Sequence, residues 1–339
     1  MAVLTEQFDD ALTAIEPDAD ATNAKKAHEQ VRDALKADPS FSQWGLESIL
    51  IGSYMRHVSI KRVKDVDVFC KLLKLPSSYN PVELLQHTQR VLDKAFPPRN
   101  GQPRTEIQGR SVKVEFPEYD ELHVDAVPAR PADAVWEIPC KNPGDGWDQT
   151  NPEHFSILSS LRNDEFGTIY VPVVKLVRQT RRALLGLAKP GGLFVEVAAY
   201  HAFDAHPRPG GAGAYTSTAA YYANTLRVMA DAIRNHANGT QPLENPAMPG
   251  QELRVRATDE EWANITTKWE EASSKAMAAL ASQQDCPAAK TFRELLGQDS
   301  LGSWVFPLPS GCNPDGTNRA VVVMPGADRL PSKESPTFG

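Results

Sequence analysis

The chain has 339 residues, enough for a sizeable core and for two lobes. It carries 36 Lys and Arg against 43 Asp and Glu, and the resulting formal net charge of −7 argues against an extended nucleic-acid surface. No apolar run approaches the ~20 residues that cross a bilayer, and the N-terminus does not have the pattern of a signal peptide, so we expect a cytoplasmic protein without a membrane contact.

The cysteines favour no covalent or metal framework. Cys70, Cys140, Cys286 and Cys312 are far apart in the sequence and form no CxxC pair. This spacing indicates neither a set of disulfides nor a zinc site. We therefore expect reduced thiols, in keeping with a cytoplasmic location.

The N-terminal region predicts two helices that brace the core. Apolar residues recur at helical spacing in each, namely Leu4, Phe8, Leu12 and Ile15, then Ala27, Val31 and Ala34. The breaker EPDAD separates the two helices. A first core strand is expected near residues 48–51, and it runs into a Gly52-Ser53 turn.

Three aspartates lie on two predicted strands. Asp65 and Asp67 begin the strand DVDVFCKL, and Asp125 lies in the apolar strand LHVDAVP. Because successive side chains of a strand point to opposite faces, Asp65 and Asp67 share one face while the intervening valines turn into the core. The same alternation leaves Asp125 on the face that can meet the first pair.

This arrangement predicts a metal site beside a phosphate-binding turn. Three converging carboxylates repel one another, and Mg²⁺ or Mn²⁺, which accept oxygen ligands, removes that repulsion. Two such ions can clamp the attacking and the leaving oxygen of a phosphoryl displacement. Gly52 allows backbone amides to approach a phosphate closely, and Ser53 adds a hydroxyl. The alternative is that the acidic pair is an ordinary solvated strand surface.

The rest of the N-terminal half predicts a helix, a hairpin and a loop. Asn80 is a helix cap followed by proline, and residues 103–116 alternate as a hairpin. We expect Pro128 and Pro131 to end the Asp125 strand. Residues 131–150 are rich in Pro, Gly, Trp and Asp and are predicted to be a connecting loop at a domain boundary.

From Asn151 onward the pattern becomes helical. The helix predicted to open at Pro172 places Lys175, Arg178 and Arg182 on one side, at spacings of three and four. Spacing alone favours a solvated cationic face. A further helix begins at Thr258, where Glu261 completes a capping box.

The motifs together resemble a known family. The string GSYMRHVSIKRVKDVDV followed by HVDAVP resembles the nucleotidyltransferases of the polymerase β superfamily, and is most similar to the bacterial cGAS/DncV-like nucleotidyltransferases (CD-NTases). The strings VPVVKLVRQTRR, GLFVEVAAYHAF and FRELLG resemble their helical half. The resemblance implies an α+β fold with a two-lobed polymerase β-like core, a mixed sheet with helices at residues 1–150, a C-terminal helical lobe at 151–312, and a flexible tail at 313–339.

The resemblance also implies an activity and a set of site residues. The activity is Mg²⁺-dependent joining of nucleoside triphosphates into a cyclic di- or trinucleotide, a second messenger of anti-phage (CBASS) signalling. Asp65, Asp67 and Asp125 would be the catalytic metal ligands. The nucleotide- and phosphate-binding candidates are Gly52, Ser53, Arg56, Lys175, Arg178 and Asn163.

Within that set, several roles are specific. Lys175 matches by position the family's triphosphate-binding lysine, and Asn163 is a candidate base reader. Arg56 either braces the phosphate turn or pairs with an acid. One departure from the family is that Gly191 and Gly192 stand where a serine usually precedes the F-x-x-E helix start.

The C-terminus has two interpretations. Some similar systems attach the enzyme's terminal glycine or alanine to other proteins through a ubiquitin-transfer-like enzyme, which makes Gly339 a candidate conjugation site. The alternative is an ordinary frayed terminus.

Three other functions share parts of the pattern. A linear oligonucleotide synthase or template-independent polymerase of the same superfamily would use the same three aspartates. A small-molecule or protein nucleotidylyltransferase fits the two-lobed length less well. A catalytically silent nucleotide-binding sensor is opposed by the intact aspartates. Base identity cannot be read from spacing, because it depends on a few lid side chains, and the sequence does not give the linkage type or the ring size.

Overall fold

Two lobes, one built on a mixed sheet and one helical, make up the computed structural model, which describes residues 3–142 and 144–319. The strands are β1 (Leu46–Ile51), β2 (Asp65–Leu72), β3 (Thr105–Ile107), β4 (Val112–Phe116), β5 (Leu122–Ala132), β6 (Val135–Pro139) and β7 (Trp147–Thr150). The helices of the N-terminal half are α1 (Thr5–Ile15), α2 (Asp18–Ala37), α3 (Pro39–Gln43), α4 (Gly52–Met55) and α5 (Pro81–Ala95). Those of the C-terminal half are α6 (Pro152–Glu165), α7 (Tyr170–Leu185), α8 (Gly192–Ala202), α9 (Thr218–Ala237), α10 (Asp259–Ala281) and α11 (Asp285–Leu296). This arrangement confirms the predicted α+β core with a helical lobe.

The sheet places the two acidic strands side by side. Its order is β1-β2-β5-β4-β3, with β2 and β5 parallel and the other neighbours antiparallel. The β2–β5 register sets Asp65 beside His123 and Asp67 beside Asp125. Val66 and Val68 are fully buried on the opposite face, as the alternation of the strand requires.

The apolar residues form one large core for each lobe and a small third cluster of Phe69, Val127 and Ala129. Helices α2 and α5 cover one face of the sheet, while α7, α8, α9, α10 and α11 surround the second core. Helix α1 belongs to the second core, because Phe8 packs at 5.0 Å from the rings of both Phe292 and Phe306. The expectation that both N-terminal helices brace the sheet is therefore wrong for α1. Helical spacing shows which face of α1 is buried but not against which partner.

The predicted loop at residues 131–150 is largely a strand meander. Strand β5 continues through both prolines to Ala132, β6 pairs with its end, and β7 pairs with β6. Strand β4 pairs with β5 only as far as Ala126, so Pro128 lies where β5 has no β4 neighbour to receive a hydrogen bond. The expectation that the prolines end the strand is therefore wrong. Helix α6 begins just after residue 150, with Asn151 Oδ1 accepting a hydrogen bond from the His154 amide at 3.2 Å.

Two predicted helix starts are confirmed. Asn80 Oδ1 accepts hydrogen bonds from the amides of Val82 and Glu83 and caps α5. Thr258 and Glu261 form the reciprocal capping box of α10. Helix α7 starts at Tyr170, two residues before the predicted position. Within the described ranges, no helix is both long enough and apolar enough to cross a membrane.

The C-terminal end of the described chain folds back onto α11. Cys286 and Cys312 form a disulfide with Cα atoms 5.3 Å apart, whereas Cys70 and Cys140 are free. The expectation of four reduced thiols is therefore wrong, because the return of the chain toward α11 cannot be read from spacing. Residues 313–319 were predicted to be tail, yet the Asn313 amide donates to the Thr317 carbonyl at 2.8 Å. The remaining tail, with Gly339, lies outside the described residues.

Candidate active site

The Gly52 turn lies directly against one of the acidic side chains. Gly52 follows β1 with φ +75°, a left-handed conformation that favours glycine. A Cβ at Gly52 would lie 2.1 Å from Asp67 Oδ2, so only glycine leaves room for that carboxylate. Ser53 Oγ lies 3.1 Å from Ser59 Oγ, which holds the turn to the chain that leaves it. The turn and the carboxylate are therefore fitted to each other.

The three carboxylates influence one another electrostatically. Burial, then Asp65 and Asp125, raise the pKa of Asp67 to about 7, and Arg56 opposes the rise. Burial also raises the pKa of Asp125, while His123 and a 3.2 Å hydrogen bond from Ser111 Oγ oppose that rise. Such shifts are expected where acidic groups share a poorly solvated site without a counter-charge.

This donor set fits a hard divalent cation. In the described part of the chain, no three acidic, histidine or cysteine side chains are gathered closely enough to hold a metal ion as they stand. The oxygen-only chemistry of the trio suits Mg²⁺ or Mn²⁺, and a bound cation would offset the repulsion that helps to raise the pKa of the Asp67 carboxyl.

A cavity of about 490 Å³ opens between the lobes next to this edge of the sheet. Gly52, Ser53, Arg56, Asp65 and Asp67 form its sheet-side wall. Asp125, beside Asp67 on the neighbouring strand, does not line the cavity. Helices α7 and α8 form the facing wall, which contains Arg178, Arg181, Arg182, Gly192 and Glu196.

The facing wall is cationic. Burial lowers the pKa of Arg178 and of Arg182, and for Arg182 the neighbouring arginines lower it further. Arg178 Nε is buried and has no hydrogen-bond partner among the described residues. Arg181 instead donates to the backbone carbonyls of Pro190, Gly186 and Ala188, so it organises the turn before α8. Mutually repelling guanidinium groups at a cavity wall are suited to an anion.

Gly192 makes room for one of these arginines. A Cβ at Gly192 would lie 2.9 Å from Arg178 Nη1. Gly192 therefore has a spatial role, because it lets the guanidinium approach the N-terminal end of α8.

Two of the predicted nucleotide-binding residues lie elsewhere. Lys175 Nζ pairs with Glu16 at the end of α1, and Lys175 does not line the cavity. Asn163 Oδ1 accepts a hydrogen bond from the Val171 amide at 3.0 Å, so this side chain supports the start of α7. Of the other predicted residues, Gly52, Ser53, Arg56 and the aspartates lie at the same edge of the sheet, and Arg178 faces them across the cavity.

The sequence reading missed Glu196, Arg181 and Phe155, all of which line the cavity. Glu196 is 1% exposed and accepts a bidentate pair of hydrogen bonds from Arg56. The sequence contains a signal for Glu196, because it is the one acidic residue of the mostly apolar α8. A buried acid is usually paired with a cation. Phe155 supports Arg56, whose guanidinium carbon lies 4.6 Å from the centre of its ring.

Comparison with known proteins agrees with this geometry. Residues 1–163 match the model of the Second Messenger Oligonucleotide or Dinucleotide Synthetase (SMODS) domain. The chain is 27% identical over 312 residues to the cyclic AMP-AMP-AMP synthase of an Acinetobacter species, covering 86% of this chain and 84% of that protein.

Solved structures show the same fold. The CdnC protein of Escherichia coli MS115-1, solved with ATP, superposes with a TM-score of 0.62 at 16% identity, covering 83% of this chain and 93% of that one. The CD-NTase CdnG of Bradyrhizobium diazoefficiens, solved with GTP, gives a TM-score of 0.63 at 17% identity, with coverages of 82% and 92%.

Proposed function

We propose that the chain is a bacterial CD-NTase that joins nucleoside triphosphates into a cyclic di- or trinucleotide in an Mg²⁺-dependent reaction. The match of residues 1–163 to the SMODS domain and the similarity to a cyclic AMP-AMP-AMP synthase support this proposal. The observation that carries the proposal is the register of Asp67 beside Asp125, at a glycine turn that faces the arginines of α7 across one cavity.

Each wall of the cavity has its own task. Asp65, Asp67 and Asp125 would hold Mg²⁺, or Mn²⁺ in its place, and the bound ions would activate the acceptor hydroxyl and stabilise the leaving pyrophosphate. Gly52 and Ser53 bind phosphate oxygens through backbone amides and a hydroxyl. Arg178 and Arg182 neutralise the charge that develops on the departing side. Asp125, which accepts a hydrogen bond from Ser111 Oγ, would promote loss of the acceptor proton through the metal that it helps to hold.

The relative that makes cyclic AMP-AMP-AMP indicates that ATP is the first substrate to test. We place the reaction in the cytoplasm, where nucleoside triphosphates are available. The product would be a second messenger of anti-phage signalling, read by a separate effector. A ubiquitin-transfer-like enzyme acting on Gly339 would be a further partner.

Incubation of the purified protein with labelled nucleoside triphosphates, singly and in pairs, tests this proposal. Phosphatase-resistant product that appears with Mg²⁺ and disappears with EDTA is the expected result. Product that phosphatase degrades would instead identify a linear oligonucleotide synthase. Nucleotide binding without turnover under all metal conditions would contradict the proposal and favour a silent sensor.

Asp67→Asn, with Asp9→Asn as an exposed acidic control on α1, shows whether turnover depends on the site. We expect Asp67→Asn to lose nearly all product formation and Asp9→Asn to keep wild-type activity, since Asp67 lines the cavity and Asp9 does not.

A further inference from the structure

The carboxylate of Glu196 connects the two lobes at the cavity wall. Glu196 lies on α8, and Arg56 lies directly after α4 on the other lobe. Arg56 Nε is 2.5 Å from Glu196 Oε1, and Arg56 Nη2 is 3.0 Å from Oε2. The second oxygen is also 3.6 Å from Arg178 Nη1. A single acid thus contacts a cation from the phosphate turn and a cation from the arginine wall.

The chain that follows the turn is also fixed to the helical lobe. Val58 and Ile60 are buried in the core of that lobe. The Lys61 amide donates to the Ile15 carbonyl at 2.7 Å, and the Lys61 carbonyl accepts from Arg182 Nη1 at 2.8 Å. The turn is therefore fitted to the sheet at Gly52 and held by the helical lobe from residue 56 onward.

A buried ion pair is a weak source of stability, because removing two charges from water costs about as much as their attraction returns. The apolar contacts of Val58 and Ile60 already hold this chain to the helical lobe. What an apolar pair cannot do is fix the orientation of a guanidinium group at a cavity wall. The bidentate geometry of Arg56 on Glu196 does this, since a planar fork on a planar carboxylate allows one arrangement.

We propose that Glu196 is a positioning residue of the nucleotidyl transfer, because it holds Arg56 and Arg178 at fixed places so that the phosphate turn and the arginine wall face the same triphosphate. This inference rests on the function proposed above. Both carboxylate oxygens are occupied by Arg56, and two guanidinium groups lie against one carboxylate. The cluster therefore keeps a net positive charge toward the cavity.

Glu196→Gln and Glu196→Asp test the role through kinetics measured well below the unfolding temperature of each variant. Glutamine keeps the shape and loses the charge, and we expect kcat/KM for the triphosphate to fall about 100-fold, the loss that follows from a displacement of about 1 Å. Aspartate keeps the charge on a shorter side chain, and we expect kcat/KM of this variant to be about tenfold higher than that of the glutamine variant. Hydrogen exchange of the amides of residues 52–59 should be faster in the glutamine variant than in the wild-type protein.

Asp204→Asn is the matched control, because Asp204 pairs with Arg162 at 2.7 Å in the same lobe and outside the cavity. We expect it to keep wild-type kinetic constants and wild-type exchange at the turn. If folded Glu196→Gln protein has a lower unfolding temperature but wild-type KM and kcat, the role is only structural and the inference is overturned.

If Glu196→Gln does not fold, the kinetic constants of Glu196→Asp and its hydrogen exchange at residues 52–59 test the proposal instead. Wild-type kinetics together with unchanged exchange at the turn would overturn the proposal. If the wild-type protein incorporates no nucleotide at all, the proposed function fails separately, and exchange at residues 52–59 still shows whether Glu196 holds the turn.

Discussion

The substitution Gly52→Ala separates backbone strain from damage to the site. Gly52 has φ +75°, and a non-glycine residue in this region costs about 1–2 kcal/mol of folding free energy. The new Cβ would lie 2.1 Å from Asp67 Oδ2, whereas ordinary contacts begin at 3.4 Å, so the carboxylate must move by more than 1 Å. A displacement of about 1 Å in a catalytic group costs roughly 100-fold in rate.

Gly101→Ala is the matched control, because Gly101 has nearly the same φ, +76°, and a Cβ there meets nothing within 4 Å. Urea denaturation should show a similar loss of unfolding free energy, about 1–2 kcal/mol, in both variants. Product formation from labelled triphosphate should fall roughly 100-fold in Gly52→Ala alone. Equal activity of the two variants would refute the fit between the Gly52 turn and the Asp67 carboxylate.

Four other outcomes follow from the same geometry. Burial and two acidic neighbours raise the pKa of Asp67 to about 7, so at pH 8 in EDTA the Asp67→Asn variant should have a higher unfolding temperature than the wild-type protein. The increase in unfolding temperature that Mg²⁺ gives the wild-type protein should be absent from this variant, as scanning calorimetry would measure. Arg178→Met should lower kcat/KM for the triphosphate about 100-fold, whereas Lys175→Met should leave KM unchanged and lower the unfolding temperature, because only Arg178 lines the cavity. Burial lowers the pKa of His206 to about 4, so between pH 6.5 and 4 the unfolded chain binds more protons than the folded chain. About 3 kcal/mol of unfolding free energy should therefore be lost as the pH falls through this window. The His206→Gln variant should not show this loss. Phe8→Ala should cost about 3–5 kcal/mol and speed hydrogen exchange in the helical lobe rather than in the sheet.

The sheet side of the site could be predicted from the sequence, because local rules determine it. Alternation along β2 and β5 decides which face Asp65, Asp67 and Asp125 occupy, and a glycine after β1 marks the turn. These features need only the period of a strand and the conformational freedom of glycine. The parallel pairing of β2 and β5 does not follow from these rules, because an antiparallel pair can also set two aspartates of one face side by side.

The residues of α7 and α8 that form the other wall of the cavity could not be predicted from the sequence in the same way. Lys175 and Arg178 lie on one side of α7, and the period of the helix does not choose between them. The choice depends on where Glu16 and Glu196 lie, and these acids are 159 and 140 residues from Lys175 and Arg56. Contacts at such separations are set by tertiary packing, which leaves no trace in local spacing.

The same packing limits how the lobes can move. Opening the cavity by rotating one lobe away from the other would pull Val58 and Ile60 out of the helical core and break the pair between Arg56 and Glu196. Exposing the two apolar side chains alone costs about 3–6 kcal/mol, at 1.5–3 kcal/mol for each. A state with that free energy is populated well below one molecule in a hundred. We therefore expect any motion that assists nucleotide entry and exit to be confined to the walls of the cavity rather than shared by whole lobes.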